Sequence, residues 1–69
     1  KTRCYRVECK STVNNSFSIK KEYLDKITNE AMFCNQDPVL EFEFVNSSNT
    51  SISKWVIIPL TLFEELMEK

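Results

Sequence analysis

Histidine is missing from this sequence of 69 residues, and cysteine occurs only three times, at Cys4, Cys9 and Cys34. Zinc sites in proteins are built mainly from histidine and cysteine at short spacings. These cysteines form no CxxC pair, so a structural zinc site is not expected. Three cysteines also cannot form a complete set of disulfides within one chain. We therefore expect reduced thiols that pack as small buried apolar side chains, as in a cytosolic protein.

Long apolar runs and an excess of positive charge are missing as well. No stretch approaches the roughly 20 apolar residues that a membrane-spanning helix needs, and the chain does not open with the pattern of a signal peptide. We therefore expect a cytoplasmic protein without a membrane partner. The net charge is −1, which differs from the basic balance of a self-sufficient nucleic-acid binder. Any nucleic-acid surface must then come from local clusters of lysine and arginine.

The length and composition indicate one small folded domain that covers residues 1–69. Hydrophobic residues make up 42% of the chain and charged residues 28%, as in globular proteins. A chain this short buries only about 60% of its unfolded surface. Its stability should therefore be marginal without a further support such as oligomerisation.

The first half of the chain predicts a strand followed by a helix. Residues 3–10 alternate, with Tyr5, Val7 and Cys9 on the face that we expect to be half-buried. A polar loop follows, and Ser18 is a good helix N-cap. Apolar residues then recur every four positions as far as residue 31, and Asn35 is a candidate C-cap.

The second half predicts a hairpin and a short helix. Residues 39–45 alternate, residues 55–58 are continuously apolar, and a loop of about six residues joins these strands. We expect the second strand to be covered on both faces. Thr61 and Glu64 match a capping box for a final helix. The predicted fold class is α+β (or α/β), with a small mixed sheet in the order strand, helix, strand, strand, helix.

Several other side chains have a structural interpretation that we favour over a functional one. Phe42, Phe44 and Trp55 could form a base-stacking platform, but core packing is the better interpretation because they lie in apolar strand positions. Glu41 and Glu43 could be a metal pair, but a solvated or helix-covered strand face is the simpler interpretation.

The tripeptide Glu8-Cys9-Lys10 carries recognisable chemistry. Strand geometry places Glu8 and Lys10 on the same face, about 6.5 Å apart along the strand. A carboxylate suits Mg²⁺, which prefers oxygen ligands, and an ammonium group can orient a water molecule beside a phosphate. Alone, the pattern is weak and also fits a solvated charge pair. The next helix begins near Lys20 and Lys21, at the kind of helix end that attracts phosphate.

In this context the chain resembles the Holliday-junction-resolvase-like branch, from phages and bacteria, of the PD-(D/E)xK nuclease superfamily. The resemblance begins with the tripeptide and Thr12, continues with Ser18, Lys20 and Leu24 in the following helix, and ends with an aromatic strand before a short helix. The segments that carry it are residues 5–12, 17–24, 26–27, 30–31, 37–40, 42–44, 55–59 and 63–66.

The resemblance implies a restriction-endonuclease-like half-fold, the C-terminal part of a nuclease domain, and a role for each site residue. Glu8 is then a metal ligand and a catalytic residue, the Cys9 backbone carbonyl a second ligand, and Lys10 the catalytic lysine. It further implies Mg²⁺, or Mn²⁺ in its place, as cofactor, branched or junction DNA as substrate, and a homodimer in a bacterial or phage-infected cell. Residues Arg6, Lys20 and Lys21 would contact the DNA backbone.

The sequence departs from this family at one important position. In the superfamily another acidic residue comes from the preceding strand, and residues 1–7 contain no Asp or Glu. Asp25 and Asp37 follow the tripeptide and cannot take that position. We expect either that residues upstream of Lys1 or a partner supply the missing acid, or that the chain is weakly active or inactive. The alternative function is a small non-catalytic interaction or regulatory module.

Overall fold

The computed structural model describes residues 3–68 and confirms an α+β protein with a small mixed sheet and two helices. The central strand of the sheet pairs in parallel with the first strand and antiparallel with the third. The elements, in chain order, are β1 (Tyr5–Thr12), α1 (Lys21–Phe33), β2 (Asp37–Val45), β3 (Ser51–Ile57) and α2 (Leu60–Met67). Neither helix is long and apolar enough to cross a membrane.

The core lies between α1 and β2. Ile27 and Ala31 are the buried residues of α1, this helix contacts β2 and β1, and Leu40 of β2 is fully buried. The four-residue spacing of Ile27 and Ala31 places them on one face of the helix. Burying a side chain of the size of Leu40 contributes about 1.5–3 kcal/mol to folding, a large share for so small a core.

The faces of β1 are reversed from the sequence prediction. Residues paired across neighbouring strands share a face, and Glu8 is paired with Leu40. The charged face of β1 therefore lies on the α1 side, while Tyr5 and Val7 on the other face are 43% and 50% exposed. The reason is that α1 brings its apolar stripe to β2, so that β1 meets the charged flank of the helix.

The ends of α1 also differ from the prediction. The helix begins at Lys21, and Lys20, with extended backbone angles, is the N-cap; Ser18 lies before it, so the Ser18 prediction is wrong. At the other end Cys34 is the C-cap and Asn35 has φ 58°. The N–H of Gln36 donates to the Ala31 carbonyl at 2.8 Å. This is the Schellman arrangement, in which Asn35 takes the left-handed position one residue beyond the cap.

The antiparallel hairpin of β2 and β3 confirms the predicted pairing. The loop covers residues 46–50, and Asn46 organises it: its side-chain Oδ1 accepts hydrogen bonds from the N–H groups of Ser48 and Thr50, both at 2.9 Å. Asn49 has φ 63°, a left-handed angle that asparagine tolerates better than most residues. Proline has no backbone N–H to donate to a neighbouring strand. It is tolerated at position 38 of the central strand because the pairing with β3 begins only at Leu40.

Three expectations about burial and capping are wrong. Trp55 and Val56 of β3 are exposed because β3 is an edge strand, whereas we expected cover on both faces and a core position for Trp55. The three cysteines are free and exposed. Helix α2 begins at Leu60, with Pro59 as N-cap and no side-chain capping hydrogen bond within residues 3–68. The Thr61–Glu64 capping box is therefore absent there.

Helix α2 is held near the start of β1 and β2 by one arginine. Arg3 forms ion pairs with Asp37, at 2.7 Å, and with Glu65 of α2. Leu62 is the buried residue of α2. The other large apolar side chains of α2 are exposed: Leu60, Phe63, Leu66 and Met67.

The core assignment predicts that Leu40→Ala destabilises the protein by about 2–5 kcal/mol, because truncation leaves a cavity between β2 and α1. Val56→Ala, in the neighbouring strand but exposed, should cost about 0.5 kcal/mol or less. Urea unfolding followed by circular dichroism measures both changes. Equal midpoints for the two variants would contradict the placement of the core.

Candidate functional site

The site is built on the face of β1 that lies beneath the flank of α1. Arg6, Glu8 and Lys10 alternate along the strand, and the pairing with β2 places them beside Pro38, Leu40 and Phe42, respectively. Strand geometry separates Glu8 and Lys10 by about 6.5 Å along β1. The structure therefore places the two predicted catalytic side chains on one face, next to the core.

Glu8 belongs to a network of charges between β1 and α1. Arg6 Nε lies 3.8 Å from Glu8 Oε2 and 3.8 Å from Glu30 Oε1, and Lys26 Nζ lies 3.0 Å from Glu30 Oε2. The hydrogen bond with Glu30 raises the pKa of Lys26, and the nearby charge of Glu8 adds to that rise. Glu8 is thus held among basic groups, with about a third of its side chain exposed.

The Cys9 carbonyl points toward the open edge of the sheet. The Asp37 N–H donates to the Cys4 carbonyl at 2.8 Å, which fixes the phase of the parallel ladder. In such a ladder alternate residues of a strand bond to the same neighbour, so residues 6, 8 and 10 bond to β2. The N–H and C=O groups of residues 5, 7 and 9 face the other way. The carbonyl predicted as a metal ligand is therefore not used in pairing β1 with β2.

A basic groove lies between the end of β1 and the start of α1, with a volume of about 530 Å³. Lys10 Nζ lies 4.9 Å from the centre of the Tyr23 ring, a cation–π distance that orients the ammonium group. The residues that line the groove are Lys10, Phe17, Ser18, Lys20, Glu22, Tyr23 and Lys26.

The groove contains only part of the predicted DNA contacts. Of the predicted DNA contacts only Lys20 lines it, beside the predicted catalytic Lys10 and beside Lys26, which we had not predicted. Lys21 lies outside and is paired with Asp25 at 2.8 Å. Arg6 lies along the flank of the helix and faces Glu8 and Glu30, so it is less available to a phosphate than we expected.

The described residues supply only part of a metal site. Glu8 and the Cys9 carbonyl offer two oxygen donors, whereas Mg²⁺ takes six ligands in near-octahedral geometry. Within residues 3–68 no three His, Cys, Asp or Glu side chains are grouped so that they could hold a metal ion. Glu41 and Glu43 alternate with Leu40 and Phe42, so they lie on the opposite face. Further ligands must come from another strand, a partner or the substrate.

The aromatic side chains next to the groove include Phe42 and Trp55, for which we favoured core packing over base stacking, and Phe17, which we had not considered. Lys10 is paired with Phe42, and Phe42 with Trp55, so the three lie in one row across the sheet. Phe17 stacks on Phe42 with ring centres 5.2 Å apart. Aromatic residues in strand positions occur both in buried cores and on exposed binding surfaces, so the sequence alone does not distinguish the two. Only the edge position of β3 exposes Trp55.

No family model, curated protein or solved structure matches the chain. The interpretation of the site therefore depends on its residues and their geometry, together with the resemblance described above.

The Lys21–Asp25 pair gives a test of the electrostatics around the start of α1. The hydrogen bond from Lys21 to Asp25 raises the pKa of Lys21 above its ordinary value of 10.5. Because this pKa is raised, the small stabilisation from the pair is complete below pH 10.5 and is lost as the pH rises through the raised pKa. Asp25→Asn should lower the pKa of Lys21 toward 10.5, as measured by NMR titration of the side chain. Glu41→Gln, with the same loss of charge on the other face of the sheet, should leave it unchanged. A Lys21 pKa that does not respond to Asp25→Asn would exclude the pair.

Proposed function

We propose that this chain is part of a metal-dependent, structure-selective DNA endonuclease of the resolvase-like group, or the DNA-binding part of one. The observation that carries the proposal is the position of Glu8 and Lys10 on one face of β1, with Lys10 lining a groove beside Lys20 and Lys26. A carboxylate on the same strand face as a lysine that lines this groove suits a phosphodiester, which needs a metal-binding oxygen and cations for its negative charge.

In this proposal Glu8 and the Cys9 carbonyl would be two of the ligands that hold a Mg²⁺ ion. The ion, when bound, supplies Lewis-acid chemistry and favours ionisation of a bound water. Mn²⁺, which prefers the same oxygen ligands, would substitute. Lys10 would donate hydrogen bonds to the attacking water or to a phosphate oxygen. The Tyr23 ring, 4.9 Å away, would limit the directions in which its ammonium group points.

The missing ligand would have to arrive at the open edge of β1. The Cys9 carbonyl faces this edge, so a neighbouring strand there could bring a carboxylate to the same ion. Asp25 and Asp37 are engaged elsewhere, with Lys21 and Arg3. We therefore propose that residues 1–69 represent the C-terminal part of the nuclease domain and that a strand from outside this segment completes the site.

Cleavage of a four-way DNA junction in the presence of Mg²⁺ tests the proposal on the full-length protein. Glu8→Gln and Lys10→Met should each reduce the rate at least about 100-fold, the usual effect of removing a group that stabilises the transition state. The controls are Glu41→Gln and Lys54→Met, which make the same charge changes on the opposite face of the sheet. If all four variants cleave at the same rate as the parent, the site assignment is wrong.

The alternative function is a non-catalytic interaction module. It is favoured by the open edge of β1, which could pair with the same strand of a second copy. The odd-numbered residues of β1 have N–H and C=O groups that face outward, ready to pair with a strand of another copy. A two-fold antiparallel pair centred on Val7 places Arg6 opposite Glu8 of the second copy. It also places Tyr5 opposite Cys9 on the other face. Shifting the centre by one residue to Glu8 would oppose two glutamates, which is unfavourable.

The two functions exclude each other at this edge. In such a dimer the Cys9 carbonyl pairs with the second copy and Glu8 faces an arginine, so neither could serve a metal ion. The homodimer implied by the resemblance would then need another surface if the chain is a nuclease.

Disulfide trapping distinguishes these uses of the edge. In a Cys4→Ser, Cys34→Ser background, Tyr5→Cys should cross-link rapidly to Cys9 of a second copy if the Val7-centred dimer forms. Directly paired residues have Cα atoms about 5.5 Å apart, within the range of a disulfide. The same background without Tyr5→Cys should not cross-link under oxidation, because Cys9 then faces Tyr5, whereas a dimer centred on Cys9 would cross-link without it. Absence of cross-linking in both, read on a non-reducing gel, would contradict the edge dimer.

A further inference from the structure

We propose that Phe17, Phe42 and Trp55, here called the aromatic surface, bind unpaired bases of a nucleic acid whose phosphates lie along the lysines of the groove. The inference extends the proposed function, because it names unpaired nucleotides as the part of the DNA that the site receives. It needs no metal ion and no catalysis, so it can be tested separately.

Two members of the aromatic surface, Phe42 and Trp55, lie with Lys10 in one row across the sheet, and Phe17 lies over Phe42. Lys10, Phe42 and Trp55 are paired in register across β1, β2 and β3, so they share a face and adjacent members are about 4.8 Å apart at the backbone. Phe17 stacks on Phe42 at 5.2 Å with an angle of 22° between the rings. Phe44 contacts the edge of Phe42 at 5.7 Å.

Trp55 is the accessible end of this row. It is 59% exposed, although tryptophan contributes most to stability when it is covered. Its indole N–H donates to Ser53 Oγ at 3.2 Å, so its polar atom already has a partner within the strand. What remains available to a ligand is the apolar face of the ring, which suits stacking rather than hydrogen bonding.

The charges beside the row favour a nucleic acid over another apolar ligand. Lys10, Lys20 and Lys26 line the groove at the Phe17 end, and two strand spacings place Lys10 about 10 Å from Trp55 at the backbone. Glu41 and Glu43 project from the other face of the sheet, so their charges lie away from the row. Glu22 also lines the groove and Lys26 is paired with Glu30, so Lys10 and Lys20 are the lysines that a phosphate would use. Cations beside exposed rings are the combination by which proteins bind single strands: the backbone follows the charge, and bases stack on the rings.

Base stacking requires unpaired nucleotides, because bases within a duplex are already stacked on their neighbours. A single-stranded segment, such as one at a branch point, should therefore bind in preference to a plain duplex. The site should show little sequence preference, because every base has a face that can stack.

The chain contains one tryptophan and two tyrosines, so fluorescence excited at the long-wavelength edge, where tyrosine does not absorb, reports on Trp55 alone. A twelve-nucleotide oligo-dT, added to the full chain without divalent cations, should quench this fluorescence, and a duplex of the same length should quench it much less. Trp55→Ala, followed by fluorescence anisotropy of a labelled oligo-dT, should weaken binding about 5- to 100-fold. Trp55→Phe, which keeps an aromatic face, should restore most of the affinity.

Salt dependence separates stacking from phosphate contacts. Trp55→Ala should lower the affinity without changing the slope of log K against log salt, whereas Lys20→Ala should reduce that slope by about 0.7 unit, the value for one phosphate contact on a single strand. Val56→Ala, beside Trp55 but on the other face of β3, is the matched control and should bind normally. Circular dichroism of each variant confirms that the fold is kept.

Three outcomes would overturn the inference: no quenching by oligo-dT, equal binding of oligo-dT by Trp55→Ala and the parent chain, or equal affinity for oligo-dT and duplex. A fluorescence change that depends on protein concentration and not on oligo-dT would identify the surface as a protein interface instead. If oligo-dT binds as expected while Glu8→Gln has no effect on junction cleavage, the catalytic proposal fails and the binding surface stands.

Discussion

The parallel pairing of β1 with β2 beneath α1 is the constraint on which the other features depend. Leu40 is fully buried where the Ile27–Ala31 stripe of α1 meets β2, and its partner in β1 is Glu8. The same register places Lys10 beside Phe42. A shift of one residue in this pairing would move the charged side chains of β1 to the opposite face. The core and the candidate site are therefore fixed by one register.

Much of the fold could be predicted from the sequence, because periodicity reports local structure. The strand and helix pattern, the mixed sheet and the hairpin all follow from spacing and turn residues. Burial could not be predicted in the same way. The alternation of β1 correctly separated Tyr5 and Val7 from Glu8, but the side that is covered depends on where α1 crosses. That helix has an apolar stripe for β2 and a charged flank for β1. Likewise the apolar run at Trp55 suggested a covered strand, and only the sheet order makes it an edge.

In the candidate site, too, local geometry was predictable from the sequence, whereas the contacts of individual side chains were not. Glu8 and Lys10 are two residues apart in a strand, so their shared face was predictable. The partners of Arg6 and Lys21 were not. Arg6 meets Glu30 across the interface of β1 and α1, and Lys21 pairs with Asp25 one turn along the helix. Both contacts take cations away from a prospective phosphate. Lys26 lines the groove but is likewise paired with Glu30, which leaves Lys10 and Lys20 as the lysines of the groove that a phosphate can use. The functional proposal is thereby sharpened: binding would concentrate at the start of α1, and catalysis would need a carboxylate delivered to the open edge of β1.

The most direct test of this account is the location of a divalent cation. Paramagnetic Mn²⁺, titrated into the ¹⁵N-labelled chain, broadens the amide signals of nearby residues. Binding should be weak, because few ligands are present, and the first losses of signal should occur at Glu8, Cys9 and Lys10. Glu8→Gln should abolish these losses, and Glu41→Gln should leave them unchanged. Broadening that begins at the acidic residues of β2 or α2, or that persists in Glu8→Gln, would contradict the assignment of Glu8 as the metal-binding carboxylate.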